Sequence, residues 1–178
     1  MTTLLGVGAV ASTIESITIK DSIIYIGPEA LSNCNNLVTV NFSGNFDRLA
    51  FDDRVFYQCT SLTNIVLPEG LVNLSYDLFS NCKKLASVKI PSTVKWLDDE
   101  VFRYSSYDID LAIDVTSYQS ANEIATCYDS PFDWSEAEKI TFTYDDEKVS
   151  IEDFVSKSWP YEPYRGPAVV WQKLSEVI

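Results

Sequence analysis

Cys34, Cys59 and Cys82 stand 25 and 23 residues apart. Thiols at such regular spacing could close a disulfide, hold a metal ion or attack an electrophile. The other reactive material is three acidic clusters: Asp98, Asp99 and Glu100; Asp108, Asp110 and Asp114; and Asp145, Asp146 and Glu147. Grouped carboxylates could pair for glycoside hydrolysis or coordinate calcium. Histidine is absent. That removes imidazole as base, proton shuttle or metal ligand, and with it Ser-His-Asp, Cys-His and mixed Cys/His zinc chemistry. No acidic cluster has the glycine-punctuated spacing of an EF-hand loop, so calcium is expected at most as weak surface coordination. Six glycines in 178 residues provide no phosphate-cradling loop. The expectation is a nonenzymatic protein with no cofactor and no resident metal. A carbohydrate-active enzyme using Asp108 and Asp110 is the remote alternative.

The cysteines belong to a repeat. Each sits in a segment reading apolar–aromatic, two spacers, Cys, two spacers, Leu: Ala30-Leu31-Ser32-Asn33-Cys34-Asn35-Asn36-Leu37, then Val55-Phe56-Tyr57-Gln58-Cys59-Thr60-Ser61-Leu62, then Leu78-Phe79-Ser80-Asn81-Cys82-Lys83-Lys84-Leu85. A fourth copy, Val101-Phe102-Arg103-Tyr104-Ser105, carries Ser in place of Cys. Between the copies lie short stretches that are apolar at every second position, the pattern of a strand with one buried face. Ile17 and Ile19, Val40 and Phe42, Ile65 and Leu67, Val88 and Ile90, and Leu111 and Ile113 form them, at steps of 23, 25, 23 and 23 residues. Pro68 and Pro91 follow the third and fourth, where a residue without an N–H ends the pairing.

Over residues 15–115 the chain resembles the BspA-type leucine-rich repeat, whose pattern runs Leu-x-x-Ile-x-Ile/Leu-Pro, an apolar pair, and Ala-Phe-x-x-Cys-x-x-Leu. Leu62-Thr63-Asn64-Ile65-Val66-Leu67-Pro68-Glu69-Gly70-Leu71-Val72-Asn73-Leu74, followed by Leu78-Phe79-Ser80-Asn81-Cys82, carries the likeness. The resemblance implies adhesion or recognition. Independently of it, one coil of about 23 residues has too few apolar side chains to fold alone, so coils must stack and bury their faces against each other. The fold expected is a leucine-rich-repeat solenoid, mostly β with short helical or irregular turns. A parallel sheet runs along one side, and a C-terminal β-hairpin and an extended arm cap the end. In such a pile the cysteines form a column. Side chains in register rarely offer disulfide torsions, and Ser105 in the same phase does not suit a metal or disulfide framework, so buried filler thiols are expected.

The residues between the buried ones of each strand face outward. One column reads Ser16, Thr39, Asn64, Ser87 and Asp110; its neighbour reads Thr18, Asn41, Val66, Lys89 and Ala112. They form either a solvated hydrogen-bonding ladder or a flat recognition strip, with Thr39, Asn64, Ser87 and Lys89 as partner-binding candidates. The second copy is two residues longer, the excess lying within Phe42–Phe51. Insertions in a repeat are forced outward into loops, which makes Phe46 and Arg48 contact candidates. The alternative is that Phe46 folds back over the coil edge.

Beyond Val115 the repeat stops, and eleven aromatic residues fall between Tyr118 and Ile178. Ile140, Phe142 and Tyr144 alternate, a polar turn follows, and Val149 and Ile151 alternate again, the pattern of a β-hairpin shielding the last strand. Trp159-Pro160-Tyr161-Glu162-Pro163-Tyr164-Arg165-Gly166-Pro167 favours an extended arm. This arm, through Trp159, Tyr161, Tyr164 and Trp171, either wraps over its own solenoid or docks on another subunit. The organisation read is an N-terminal cap strand in 1–14, repeats in 15–115, an irregular cap with the hairpin in 116–157 and the arm in 158–178. A net charge of −13 repels phosphate backbones and anionic lipid, so nucleic acid is not an expected partner. No apolar run is long enough to span a membrane. Met1–Ser12 is apolar with no preceding basic residue, a poor secretory signal, which favours an intracellular or virion location. The function expected is a protein-binding or assembly module, such as a structural or accessory part of a virus particle. The alternative is a secreted or cell-surface adhesin of this type that binds a host-cell surface protein or glycan.

Overall fold

The computed structural model describes residues 2–4, 12–98, 100–106, 110–115, 139–144 and 168–173. Twelve strands are found among them, and no helix. They are β1 (Thr2–Leu4), β2 (Ser16–Lys20), β3 (Ile23–Ile26), β4 (Thr39–Ser43), β5 (Ala50–Phe51), β6 (Asn64–Val66), β7 (Asn73–Leu74), β8 (Ser87–Ile90), β9 (Trp96–Leu97), β10 (Asp110–Val115), β11 (Lys139–Tyr144) and β12 (Ala168–Lys173). The large sheet has the order β12-β11-β10-β8-β6-β4-β2, and every pairing in it is parallel. Parallel neighbours that return at each repeat require the chain to travel around a coil between strands, which makes a solenoid.

The register matches the alternation in the sequence. Ile17 lies opposite Val40, Ile65 opposite Val88, and Val88 opposite Leu111. Ile19, Val40, Ile65, Leu67, Val88 and Ile90 are buried, whereas Ser16, Thr18, Thr39, Asn41, Asn64, Val66 and Lys89 face solvent. Smaller parallel sheets, β1-β3-β5 and β7-β9, form a second side of the coil, linked by the bridge Leu49↔Leu71. β3, β5, β7 and β9 each follow a strand of the large sheet in sequence, and β1 precedes them all.

The turn segment of every described coil is built on two left-handed residues four apart: Glu29 and Asn33, Arg54 and Gln58, Asp77 and Asn81, Glu100 and Tyr104, with φ between 54° and 63°. A left-handed backbone costs a side-chain-bearing residue about 1–2 kcal/mol. Bonds to the next coil hold it in place: the N–H groups of Glu29, Leu31 and Asn33 donate to the carbonyls of Asp53, Val55 and Tyr57 at 3.0, 3.1 and 2.8 Å. Arg54, Phe56 and Gln58 repeat the pattern onto Tyr76, Leu78 and Ser80. The turns are therefore irregular, with no helical piece among the described residues.

Inside, Phe56, Phe79 and Phe102 stack face to face at 5.4 and 5.7 Å between ring centroids. Beside them Cys34, Cys59 and Cys82 are buried and free of disulfides. They do more than fill space. The Cys59 thiol donates to the Leu31 carbonyl and the Cys82 thiol to the Phe56 carbonyl, both at 3.2 Å. Ser105 donates its hydroxyl to the Phe79 carbonyl at 2.6 Å, the same bond one coil further on. This shared donor role explains why Ser replaces Cys in the fourth copy. Burial pushes the Cys82 thiol up to about 12.

The expected C-terminal hairpin is not formed. All six residues of β11 pair in parallel with β10 on one edge and with β12 on the other, so neither edge is left for an antiparallel partner at Val149 and Ile151. The alternation at Ile140, Phe142 and Tyr144 is a further coil strand, with Ile140 opposite Leu111 and Phe142 opposite Ile113. Trp171, placed in an arm from sequence, lies in β12 opposite Phe142, in the next position of the same sheet.

Candidate functional site

The outward face of the large sheet crosses seven strands, roughly 30 Å at one strand spacing each. Its described side chains are mostly short. Ser87 donates its hydroxyl to the Asn64 carboxamide oxygen at 3.1 Å, and Asn64 donates to Thr63 Oγ1 at 3.0 Å, so part of the first outward column is a hydrogen-bonded ladder. Val66, 63% exposed, is the apolar exception among the described side chains of this face.

The face is interrupted once between the described strands. β2 and β4 share five paired residues and β6 and β8 three, but the ladder from β4 to β6 holds the single pair Thr39↔Asn64. The cause is the longer second coil. After β4 the chain turns out through Gly44–Arg48. Asp21 fixes the departure by accepting the Asn45 N–H at 2.9 Å, and Gly44 takes φ 105°. Gly70, at φ 86°, fixes the return: a Cβ there would run into the Phe46 carbonyl, and its own carbonyl accepts the Leu49 N–H at 3.2 Å. The strands part beside this loop and leave an open cleft of about 520 Å³. Thr39, Asn41, Asn45 and Asn64 line it with neutral polar groups, Phe42, Val66 and Pro68 with apolar ones, and Glu69 with a carboxylate. Phe42 is half-buried here, although Ile19 and Leu67 in the same column are buried.

Phe46 follows the alternative read from sequence and folds back over the coil edge, where it forms part of the cleft wall. It is 5% exposed and meets the Phe42 ring edge-on at 5.9 Å. Arg48 is exposed on the same loop. The structure brings Thr39 and Asn64 to the cleft, with Ser87 and Lys89 one strand further along the face. Trp159, Tyr161 and Tyr164 lie outside the described residues, and of Trp171 only the backbone position is described. Asn41, Asn45 and Glu69 were missed from sequence. Their signal was the two-residue insertion, which locates a loop but not the opened ladder beside it.

A different arrangement covers the turn side. Arg54 lies 3.1 Å from Asp77 and 3.8 Å from Glu29, with its guanidinium 5.5 Å from the Tyr76 ring centroid and 5.9 Å from that of Tyr57. The Tyr76 hydroxyl donates to Glu100 at 2.9 Å, and Arg103 bonds the other Glu100 oxygen at 2.5 Å while stacking on Tyr104 at 4.7 Å. The Arg103 guanidinium, with help from Tyr76, holds the Glu100 carboxyl below its usual range. Arg54 to Asp77 and Glu29, and Tyr76 to Glu100, join neighbouring coils, while Arg103 holds Glu100 within its own, which makes this ribbon a fastening between repeats. Among the described residues no three His, Cys, Asp or Glu side chains converge to hold a metal ion. No described helix is long and apolar enough to cross a membrane.

The model of the BspA type leucine rich repeat region matches residues 9–109 in six copies. A leucine-rich-repeat protein of T. pallidum, known from its crystal structure, shares the fold with a TM-score of 0.56 at 18% identity, over 88% of this chain and 75% of that one. A leucine-rich-repeat protein from Bacteroides ovatus ATCC 8483 aligns over 78% of this chain and 58% of its own at 15% identity, with a TM-score of 0.26. No curated protein matches the chain.

Proposed function

Because the chain belongs to the BspA-type leucine-rich-repeat family, we propose that it is a nonenzymatic binding module whose large sheet offers its outward face to another protein. Repeat modules of this kind generally bind proteins, and a continuous sheet is the surface solenoids use for it. The observation that carries the reading is the in-register field of short side chains, Ser16, Thr18, Thr39, Asn41 and Asn64, exposed over successive strands. Short side chains allow a partner's backbone to approach closely and lose little rotamer freedom when covered. The turn side supports the contrast, because Arg54, Asp77, Glu100 and Arg103 there are already paired with one another.

The reading is tested by site-specific photo-cross-linking in the native source, with the cross-linker placed at Thr18 or Asn64 on the sheet face, or at Lys83 on the turn side. The expected result is one protein captured from both sheet-face positions and not from Lys83. Capture from Lys83 alone, or none from either sheet-face position, refutes the proposal.

A further inference from the structure

We propose that the cleft between β4 and β6 is a binding site for a neutral mono- or disaccharide. This names a ligand chemistry at the centre of the sheet face and rests on the reading above for its setting. The cleft volume of about 520 Å³ is that of a small-ligand site, within the roughly 300–1,000 Å³ such sites occupy. Its lining is more apolar than polar, and the kind of polar group set into it decides the ligand class. Asn41, Asn45 and Asn64 present carboxamides and Thr39 a hydroxyl, groups that both donate and accept hydrogen bonds. Sugar hydroxyls also do both, so each can be matched in either sense. Asn64 is already oriented by Thr63 and Ser87, which leaves its second amide hydrogen to bond outward.

Charge narrows the class further. No Lys or Arg is in the lining and Glu69 is, so a phosphate, sulfate or sialate meets a carboxylate there and no cation in the cleft wall itself; Arg48 and Lys89 lie outside it. The half-buried Phe42 ring and exposed Val66 supply apolar surface for the C–H face of a pyranose. A peptide strand filling the gap is disfavoured because Pro68, on the β6 side, has no N–H to continue a ladder. The walls are set in advance: Asp21 and Gly70 fix the inserted loop at both ends, so little ordering is needed on binding.

The test is NMR titration of the full isotope-labelled chain with lactose, cellobiose, mannobiose and chitobiose, and with sialyllactose and a capped neutral tetrapeptide as comparisons. The expected result is that at least one neutral disaccharide shifts the side-chain amides of Asn41, Asn45 and Asn64, with Kd of about 1 mM. Asn41→Ala and Asn64→Ala, both exposed and expected to fold normally, should each weaken it about tenfold. Sialyllactose should bind more weakly than the tightest neutral disaccharide, and Glu69→Gln should narrow that gap. The proposal is overturned if no neutral disaccharide shifts these amides up to about 50 mM. It is equally overturned if sialyllactose binds as well as the tightest neutral disaccharide, or if only the tetrapeptide binds. Because the saccharides are added free, failure here leaves a positive cross-linking result standing.

Discussion

Replacing Phe79 by Ala probes the coupling between coils most directly. Phe79 has no exposed surface, and its ring lies parallel to Phe56 at 5.4 Å and to Phe102 at 5.7 Å. A cavity there cannot close by drawing the coils together, since the Phe56 N–H to Leu78 and Phe79 N–H to Val101 bonds, at 3.0 and 2.8 Å, already set their spacing. The cost therefore belongs at the upper end of the range for a buried Phe→Ala change, about 4–5 kcal/mol. With a urea dependence of about 2 kcal/mol per M for a chain of this size, the midpoint should fall by about 2 M. Phe79→Leu, which keeps most of the volume and loses two stacking contacts, should cost about 1–2 kcal/mol. Trp96, Trp134, Trp159 and Trp171 all follow Phe79 in sequence, so tryptophan fluorescence reports the chain beyond Phe79 while far-UV circular dichroism reports both sides. Stability in a repeat array is a sum of nearest-neighbour terms, so the two curves should coincide in the wild type and separate in Phe79→Ala. A midpoint shift below about 0.5 M with coincident curves would refute the reasoning.

Ser105→Ala removes the donor to the Phe79 carbonyl and should cost about 1–3 kcal/mol by thermal or urea unfolding, whereas Ser105→Cys, which restores the residue of the other copies, should cost less than half as much. For Cys82 the unfolded thiol loses its proton near the ordinary value of 9.0 and the native thiol near about 12, so its contribution is complete below about pH 9 and lost as pH rises from there to about 12. Urea midpoints measured across that window should fall more steeply for the wild type than for Cys82→Ser, and equal slopes would contradict the assignment.

The coil period, the strands and their inward faces were legible because they depend on local alternation repeated at a fixed phase. Once the coils stacked, their strands had to be neighbours: Ile17 lies opposite Val40, Ile65 opposite Val88, and β4 and β6 meet at Thr39 and Asn64. The tail differs for a related reason. Residues 140–144 show a strand's alternation, but alternation is the same whether the neighbour runs parallel or antiparallel, so it does not identify the partner. The cysteines were recognised as a buried column, while their donor role depends on a carbonyl in the preceding coil, more than 20 residues away.

Period, phase and side-chain size are properties read along the chain, so the stack of coils and its small, polar outer face follow from spacing and composition alone. That two extra residues part β4 from β6, turn Phe46 inward and gather Thr39, Asn41, Asn45 and Asn64 around an opening follows from contacts between coils. Hydrogen-bond register between strands depends on where Asp21 and Gly70 hold the inserted loop, and those residues come from the coils on either side of it.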